Sequence, residues 1–286
     1  MANPFSWGQA VEETLRTRPT WRNGSGRKPA IINCNHFTRH QGLSFPCNRI
    51  TVATMEDLGI ELEEEGKSDA TINRVTSAVS TVLNHCSRRG RCNKPPTFTK
   101  RKEDEHRLSY LSKDQFWRLH AAALDPYGRK DLADVMAVAA FTGMRQGELL
   151  KIKCRDVSLG EGLIHVGGLP DQRTKARNYR AIPIHERITS ILSERLEYAN
   201  PNVRIFGDEW SDKDQLLRAF KKVRKYVGYE ESIVFHTLRH SFATWHAEAG
   251  TPMRTLMGLT GHRRLETVLR YARHTDQAAA QAMSAI

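Results

Sequence analysis

The sequence predicts a mainly α protein with a small antiparallel β-sheet, built as a helical domain followed by a larger α+β domain. Three observations carry that prediction. Apolar residues recur at helical spacing through most of the chain. One pair of strand-like stretches, GLIHVGG (162–168) and NYRAIPI (178–184), is joined by a polar turn. Between the two parts lies SRRGRCNKPPTFTKRKEDEHR (87–107), whose paired prolines, glycine and dense charge mark a connection. The expected division is a domain at 1–95, a linker at 96–107 and a second domain at 108–286. A length of 286 residues suits one large domain or two of ordinary size.

In chain order, SWGQAVEETLRTR opens on a serine that can cap the helix behind it. VATMEDLGIELEEEG repeats apolar residues at Met55, Leu58 and Leu62 and stops at Gly66. Its glutamates 63–65 read as a solvated helix face. SDATINRVTSAVSTVLNHC is the strongest helix of the first part, with Ile72, Val75, Val79, Val82 and Leu83 on one stripe. In the second part, LSKDQFWRLHAAAL (111–124) starts behind a serine cap. DLADVMAVAAFTGMRQGELLKI reads as one buried helix and the start of another, broken at Thr142-Gly143. The two strands and their turn follow, and from about residue 186 the pattern is helical again, punctuated by Gly250 and Gly261.

Charge narrows the partners. The formal net charge is +12 and the pI about 9.7, which favours anionic partners, nucleic acid above all. Five cysteines (34, 47, 86, 92 and 154) form no CxxC pair, so neither a disulfide framework nor a zinc ribbon is expected. Cys34, His36, His40 and Cys47 match no strong metal-ligand template. Free thiols fit a reducing cytoplasm. The longest apolar run, VMAVAAF, is far short of the roughly 20 residues of a membrane span, and MANPFSWGQA lacks the features of a secretory signal.

Four segments could carry chemistry. In HTLRHSFATW (236–245), His236, Arg239 and His240 share one helix face while Leu238, Phe242 and Trp245 share an apolar one. The histidine spacing is that of HExxH, but Thr237 replaces the glutamate and Arg239 would oppose a zinc ion. A clamp for an anion fits better, because guanidinium is planar, always charged and bidentate. TGMRQGELL supplies Arg145, with Glu148 three residues on and able to hold it. The turn QRTKARN supplies Lys175, a residue that can be tuned to release a proton where arginine cannot. GHRRLETVLRYARH supplies His262 and Tyr271, and a tyrosine becomes a nucleophile when its proton is accepted.

Taken together, TGMRQGELL, the hairpin lysine, HTLRHSFAT, Gly-His and a tyrosine nine residues after His262 resemble the tyrosine recombinase, or phage integrase, family. The set spans roughly Tyr110 to His274, and the first part is similar to the family's helical core-binding DNA-binding (SAM-like) domain. Leu259-Thr260-Gly261-His262 departs mildly, since a larger apolar residue is usual before Gly-His. The resemblance implies DNA strand exchange through a 3′-phosphotyrosyl intermediate and a Holliday junction, for integration or excision of a phage or mobile element. It implies Tyr271 as nucleophile and Arg145 and Arg239 on the phosphate oxygens. Lys175 would protonate the leaving 5′-oxygen, His236 would help accept the tyrosine proton, and His262 would hydrogen-bond the phosphate. Glu148 and His240 would position these groups. The implied partners are double-stranded DNA with specific recombination sites, a homotetramer on that DNA, and accessory DNA-bending proteins. The alanine-rich tail at 274–286 would dock on a neighbouring protomer. No metal, other cofactor or ATP is expected.

Two rivals stay open at this level. A type IB topoisomerase uses the same chemistry to relax DNA as a monomer. A DNA-binding regulator with a decayed core would have lost at least one of the six catalytic positions, and all six are filled here.

Overall fold

The computed structural model describes residues 4–103, 109–167, 179–197, 199–207, 209–210, 212–272 and 283. The chain forms two compact units, Met1–His106 and Arg107–Ile286.

The first unit is helical: α1 (Trp7–Thr17), α2 (Pro19–Arg22), α3 (Arg27–Gln41), α4 (Val52–Glu64) and α5 (Asp69–Arg88). Ser6 and Gln9 close a capping box on α1, so two backbone donors that the helix cannot use are bound reciprocally. Thr51 and Thr54 do the same on α4. The apolar stripe of α5 buries Ile72, Val75, Val79, Val82 and Leu83 against Trp7, Phe37, Leu58 and Leu62. Residues in the stretch expected as a linker lie along this unit. The Asn73 side chain brackets Arg101, accepting from its N–H at 2.9 Å and donating to its carbonyl at 3.0 Å. The Arg101 guanidinium reaches Glu63 at 2.8 Å.

The second unit contains α6 (Lys113–Leu124), α7 (Lys130–Thr142), α8 (Gln146–Leu149), β1 (Val157–Ser158), β2 (Leu163–Val166), β3 (Arg180–Pro183), α9 (Glu186–Leu196), α10 (Lys213–Tyr226), α11 (Thr237–Glu248), α12 (Met253–Thr260) and α13 (Leu265–Ala272). The fold class expected from the sequence is the one found. Beyond its first turn helix α7 is apolar on nearly every side, Asp134 excepted, and runs through the core, where Leu132, Val135, Met136, Val138 and Ala139 are buried. The sheet order is β1-β2-β3, antiparallel throughout, with His165 opposite Ala181 and Val166 opposite Arg180. Alternation puts Ile164, Val166, Arg180 and Ile182 on the buried face. Helix α11 buries Leu238, Phe242 and Trp245 and packs against α7, α12 and α13. Trp245 Nε1 donates to the Leu111 carbonyl at 2.9 Å, and Ser241 Oγ accepts from Leu111 N at 2.8 Å, which ties the start of the unit to the middle of α11. Among the described residues no helix is long and apolar enough to cross a membrane.

Candidate active site

Two left-handed glycine turns shape the site. Helix α7 ends at Gly143, with φ +61°, and α12 ends at Gly261, with φ +67°. A side chain at either position would force a neighbour to move. A Cβ on Gly143 would stand 2.4 Å from the Phe242 ring, and one on Gly261 would stand 2.9 Å from Arg180 Nη1. Both turns leave a helix-end carbonyl facing inward, and an arginine takes each of them. Arg239 Nη1 donates to the Gly143 carbonyl at 2.6 Å, and Arg145 Nη2 donates to the Gly261 carbonyl at 3.3 Å.

Arg145 sits immediately before α8, and Glu148 lies within that helix. One carboxylate oxygen of Glu148 accepts from the Arg145 backbone N–H at 3.0 Å, and the other accepts from Arg145 Nη1 at 2.9 Å. Burial works to raise the pKa of Glu148. The hydrogen bond and charge of Arg180, then the contacts with Arg145, outweigh it and hold the carboxyl below its ordinary value. Arg239 is 2 % exposed, and burial, with Arg145 adding repulsion, pushes its guanidinium down to about 10. It therefore stays cationic at neutral pH, held by Gly143 and by the ring of His262.

The tautomer of His262 follows from its neighbours. The Thr260 hydroxyl spends its proton on the Leu256 carbonyl at 2.6 Å, so it accepts from His262 Nδ1–H at 2.8 Å. His262 Nε2 is then bare and accepts from Arg239 Nη2 at 3.0 Å. Burial first, then the charges of Arg239 and Arg145, pushes the His262 pKa down to about 3, so the ring is neutral.

Tyr271 projects from α13 and is 2 % exposed. Its hydroxyl lies 2.8 Å from His240 Nδ1. Burial raises the phenol pKa, while Arg239, Arg270 and Arg145 pull against it. Burial, then His236 and Arg239, pushes His240 down to about 4, so this imidazole is neutral and able to take a proton. The histidine touching the phenol is thus His240 and not His236, which the sequence reading placed there. His236 occupies the N-cap of α11, one turn earlier, with its ring edge-on to His240 at 4.9 Å between centroids. A helix turn separates the two rings along α11, and it is the later one that meets α13.

Arg145, Glu148, His236, Arg239, His240, His262 and Tyr271 are therefore gathered around one space. Lys175, with the turn that carries it, lies outside the described residues, as does the 274–286 tail. Sequence reasoning passed over Arg180 and Thr260. Arg180 is 8 % exposed and binds Glu148. A signal for it existed: Arg180, Ile182 and Ile184 share strand parity, so an arginine on an inward face needed a buried anion. Thr260 gave no signal, because its role depends on the turn at Gly261. Among the described residues no group of three or more histidine, cysteine, aspartate or glutamate side chains is placed to hold a metal ion.

An arginine-rich pocket around a buried tyrosine, set in a helical unit with one small sheet, is the arrangement of an enzyme that handles phosphate esters. The sequence profile of the phage integrase family matches residues 109–278. The chain belongs to that family and is a tyrosine-type site-specific recombinase. It is similar to the tyrosine recombinase XerD of Listeria innocua, at 27% identity over 227 residues and 74% of each chain. In fold it is similar to the Tn1549 transposon integrase in complex with a circular intermediate DNA, with TM-score 0.77, 17% identity and coverage of 98% of this chain and 99% of that one. It is also similar in fold to a lambda integrase tetramer bound to a Holliday junction, with TM-score 0.70, 20% identity and coverage of 90% and 76%.

Proposed function

We propose that this chain cuts and rejoins double-stranded DNA at specific sites through a 3′-phosphotyrosyl intermediate. In this reading the Tyr271 oxygen attacks the scissile phosphorus, a new P–O bond forms, and the bond to the 5′-oxygen breaks. The phenol proton passes to His240, with His236 packed against it, and Lys175 delivers a proton to the leaving oxygen. Arg145 and Arg239 neutralise the charge that builds on the non-bridging oxygens, a stabilisation worth most in a water-poor site. His262 steadies Arg239 by accepting from its Nη2, and a hydrogen bond from this ring to the same oxygens requires that Nε2 gain a proton. Exchange of one phosphodiester for another needs neither ATP nor a metal.

The observation that carries the reading is the Tyr271 hydroxyl at 2.8 Å from a neutral imidazole, on the same face as a buried arginine. The test is a duplex nicked just beyond the crossover, which traps the adduct because the short 5′ fragment diffuses away. The wild type accumulates a covalent protein–DNA species that resists denaturant, and Tyr271→Phe yields none. A wild type without an adduct, or an adduct in the phenylalanine variant, ends this reading.

The finer proposal is a homotetramer that joins two sites through a Holliday junction to integrate or excise a phage or mobile element. The likeness in fold to the Tn1549 and lambda integrases supports it. A plasmid assay separates the outcomes: two-site substrates give integration, excision or inversion products, whereas relaxation of a one-site plasmid by the monomer points to topoisomerase action. Adding a DNA-bending protein to the same assay measures dependence on accessory factors.

A further inference from the structure

Arg180 is a buried charge beside the site to which the reaction above gives no role. It stands on the inner face of β3 at 8 % exposure, and all three of its guanidinium nitrogens donate. Nη2 binds Glu148 Oε2 at 2.7 Å, Nη1 binds Glu148 Oε1 at 3.4 Å, and Nε binds the Leu259 carbonyl at 2.9 Å. The planar fork therefore joins two elements at once. One is α8, where Glu148 grips the backbone and side chain of Arg145. The other is the end of α12, whose turn presents Gly261 and His262.

These contacts close a ring. Arg180 holds Glu148, Glu148 holds Arg145, Arg145 reaches the Gly261 carbonyl, and two residues back along the chain the Leu259 carbonyl returns to Arg180. The bare Cα of Gly261 leaves the room the guanidinium occupies, since a Cβ there would stand 2.9 Å from Nη1. The placement of Arg145 and the turn carrying His262 are thus coupled through one strand arginine. No contact of Arg180 involves Tyr271, so it acts through other groups.

We propose that Arg180 is a positioning residue of the strand-transfer reaction, fixing Arg145 through Glu148 and the His262 turn through Leu259. The inference rests on the phosphotyrosyl reading above. The competing account is a core ion pair that supports folding only. A ready comparison is the Arg195–Asp134 pair in the same unit, at 3.1 Å with both side chains largely buried and no partner among the site residues.

The test uses the full-length chain, a nicked trapping duplex, and Arg180→Met, Arg180→Lys, Glu148→Gln, their Met/Gln double variant, and Arg195→Met. Cleavage rate at saturating DNA, DNA affinity and thermal midpoint are measured for each, with rates taken well below the lowest midpoint. Wild type and Tyr271→Phe run alongside: a wild type without an adduct condemns the phosphotyrosyl reading itself. With that adduct in hand, Arg180→Met is expected to slow cleavage about 10- to 100-fold while affinity stays within about threefold, because small misplacements of reacting groups act on the rate. Arg180→Lys recovers part of the rate, since an ammonium reaches either Glu148 or Leu259. The double variant cleaves no slower than the slower single variant, as residues acting in series do. Arg195→Met loses thermal stability and keeps its cleavage rate. Near-wild-type cleavage by Arg180→Met overturns the proposal, as does a rate loss in Arg195→Met that matches that of Arg180→Met at equal loss of thermal midpoint. Should Arg180→Met fail to fold, Arg180→Lys decides alone: a folded lysine variant with unchanged cleavage refutes the role, and a selective rate loss supports it.

Discussion

At the scale of single residues, the site depends on hydrogen bonds between buried side chains. Tyr271 is buried, and its hydroxyl is matched to His240. Replacing His240 by Leu leaves a phenolic O–H in an apolar surrounding without its partner. The expected cost is about 1–3 kcal/mol in chemical denaturation, larger than for an exposed histidine such as His236, whose main contacts are ring edges. Equal losses for the two substitutions would show that the bond to Tyr271 contributes little. Individual site residues were readable in the sequence when their type announced them: an arginine in TGMR, paired histidines, a tyrosine behind Gly-His. Which histidine meets the phenol was not readable. Both lie on the same face of α11, and the choice is made by where α13 crosses it.

At the scale of elements, the two glycine turns convert helix ends into cation anchors. Their sensitivity differs from that of glycines that only relieve backbone strain. Gly250 also has positive φ, at +76°, but a Cβ there would meet nothing within 4 Å. Gly250→Ala is expected to lose about 1–2 kcal/mol, the ordinary penalty of the left-handed conformation. Gly143→Ala adds the collision with Phe242 and should lose about 1–3 kcal/mol more, read by urea unfolding. Similar losses at both positions would mean that the Phe242 ring yields freely. The break at Thr142-Gly143 was visible in the sequence because an apolar helix stops abruptly there. Helix α3 was not visible: it buries only Ala30, Cys34 and Phe37 among polar neighbours, so its periodicity is faint. Strand β1 is two residues long, too short for alternation to register.

At the scale of the whole molecule, burial of neutral histidines ties stability to pH. In the second unit His262 and His240 are pushed down to about 3 and about 4 from an ordinary 6.5, mainly by burial. His120 and His246, both half-buried, are lowered too, again mainly by burial. The unfolded chain binds protons below pH 6.5 that the folded chain refuses, so stability is fully present above that value. It is lost progressively as pH falls toward about 3. Thermal midpoints followed across this window should fall with acidity, and His262→Gln should make the decline shallower. A flat profile would contradict burial of these rings in the neutral form. The proline- and charge-rich stretch interrupts the apolar periodicity of the sequence, and the two compact units divide between His106 and Arg107. That residues near Arg101 lie along α4 and α5 was not legible in the sequence, since the ion pair with Glu63 joins segments 38 positions apart.

From Arg239 through His262 and Thr260 to the Leu256 carbonyl the hydrogen bonds all point one way, a second branch running from Arg239 to the Gly143 carbonyl, and that direction fixes which nitrogen of His262 is bare. His262 Nε2 has no proton to give while Arg239 fills its lone pair. An anion that drew Arg239 Nη2 to itself would leave His262 Nε2 as a free proton acceptor.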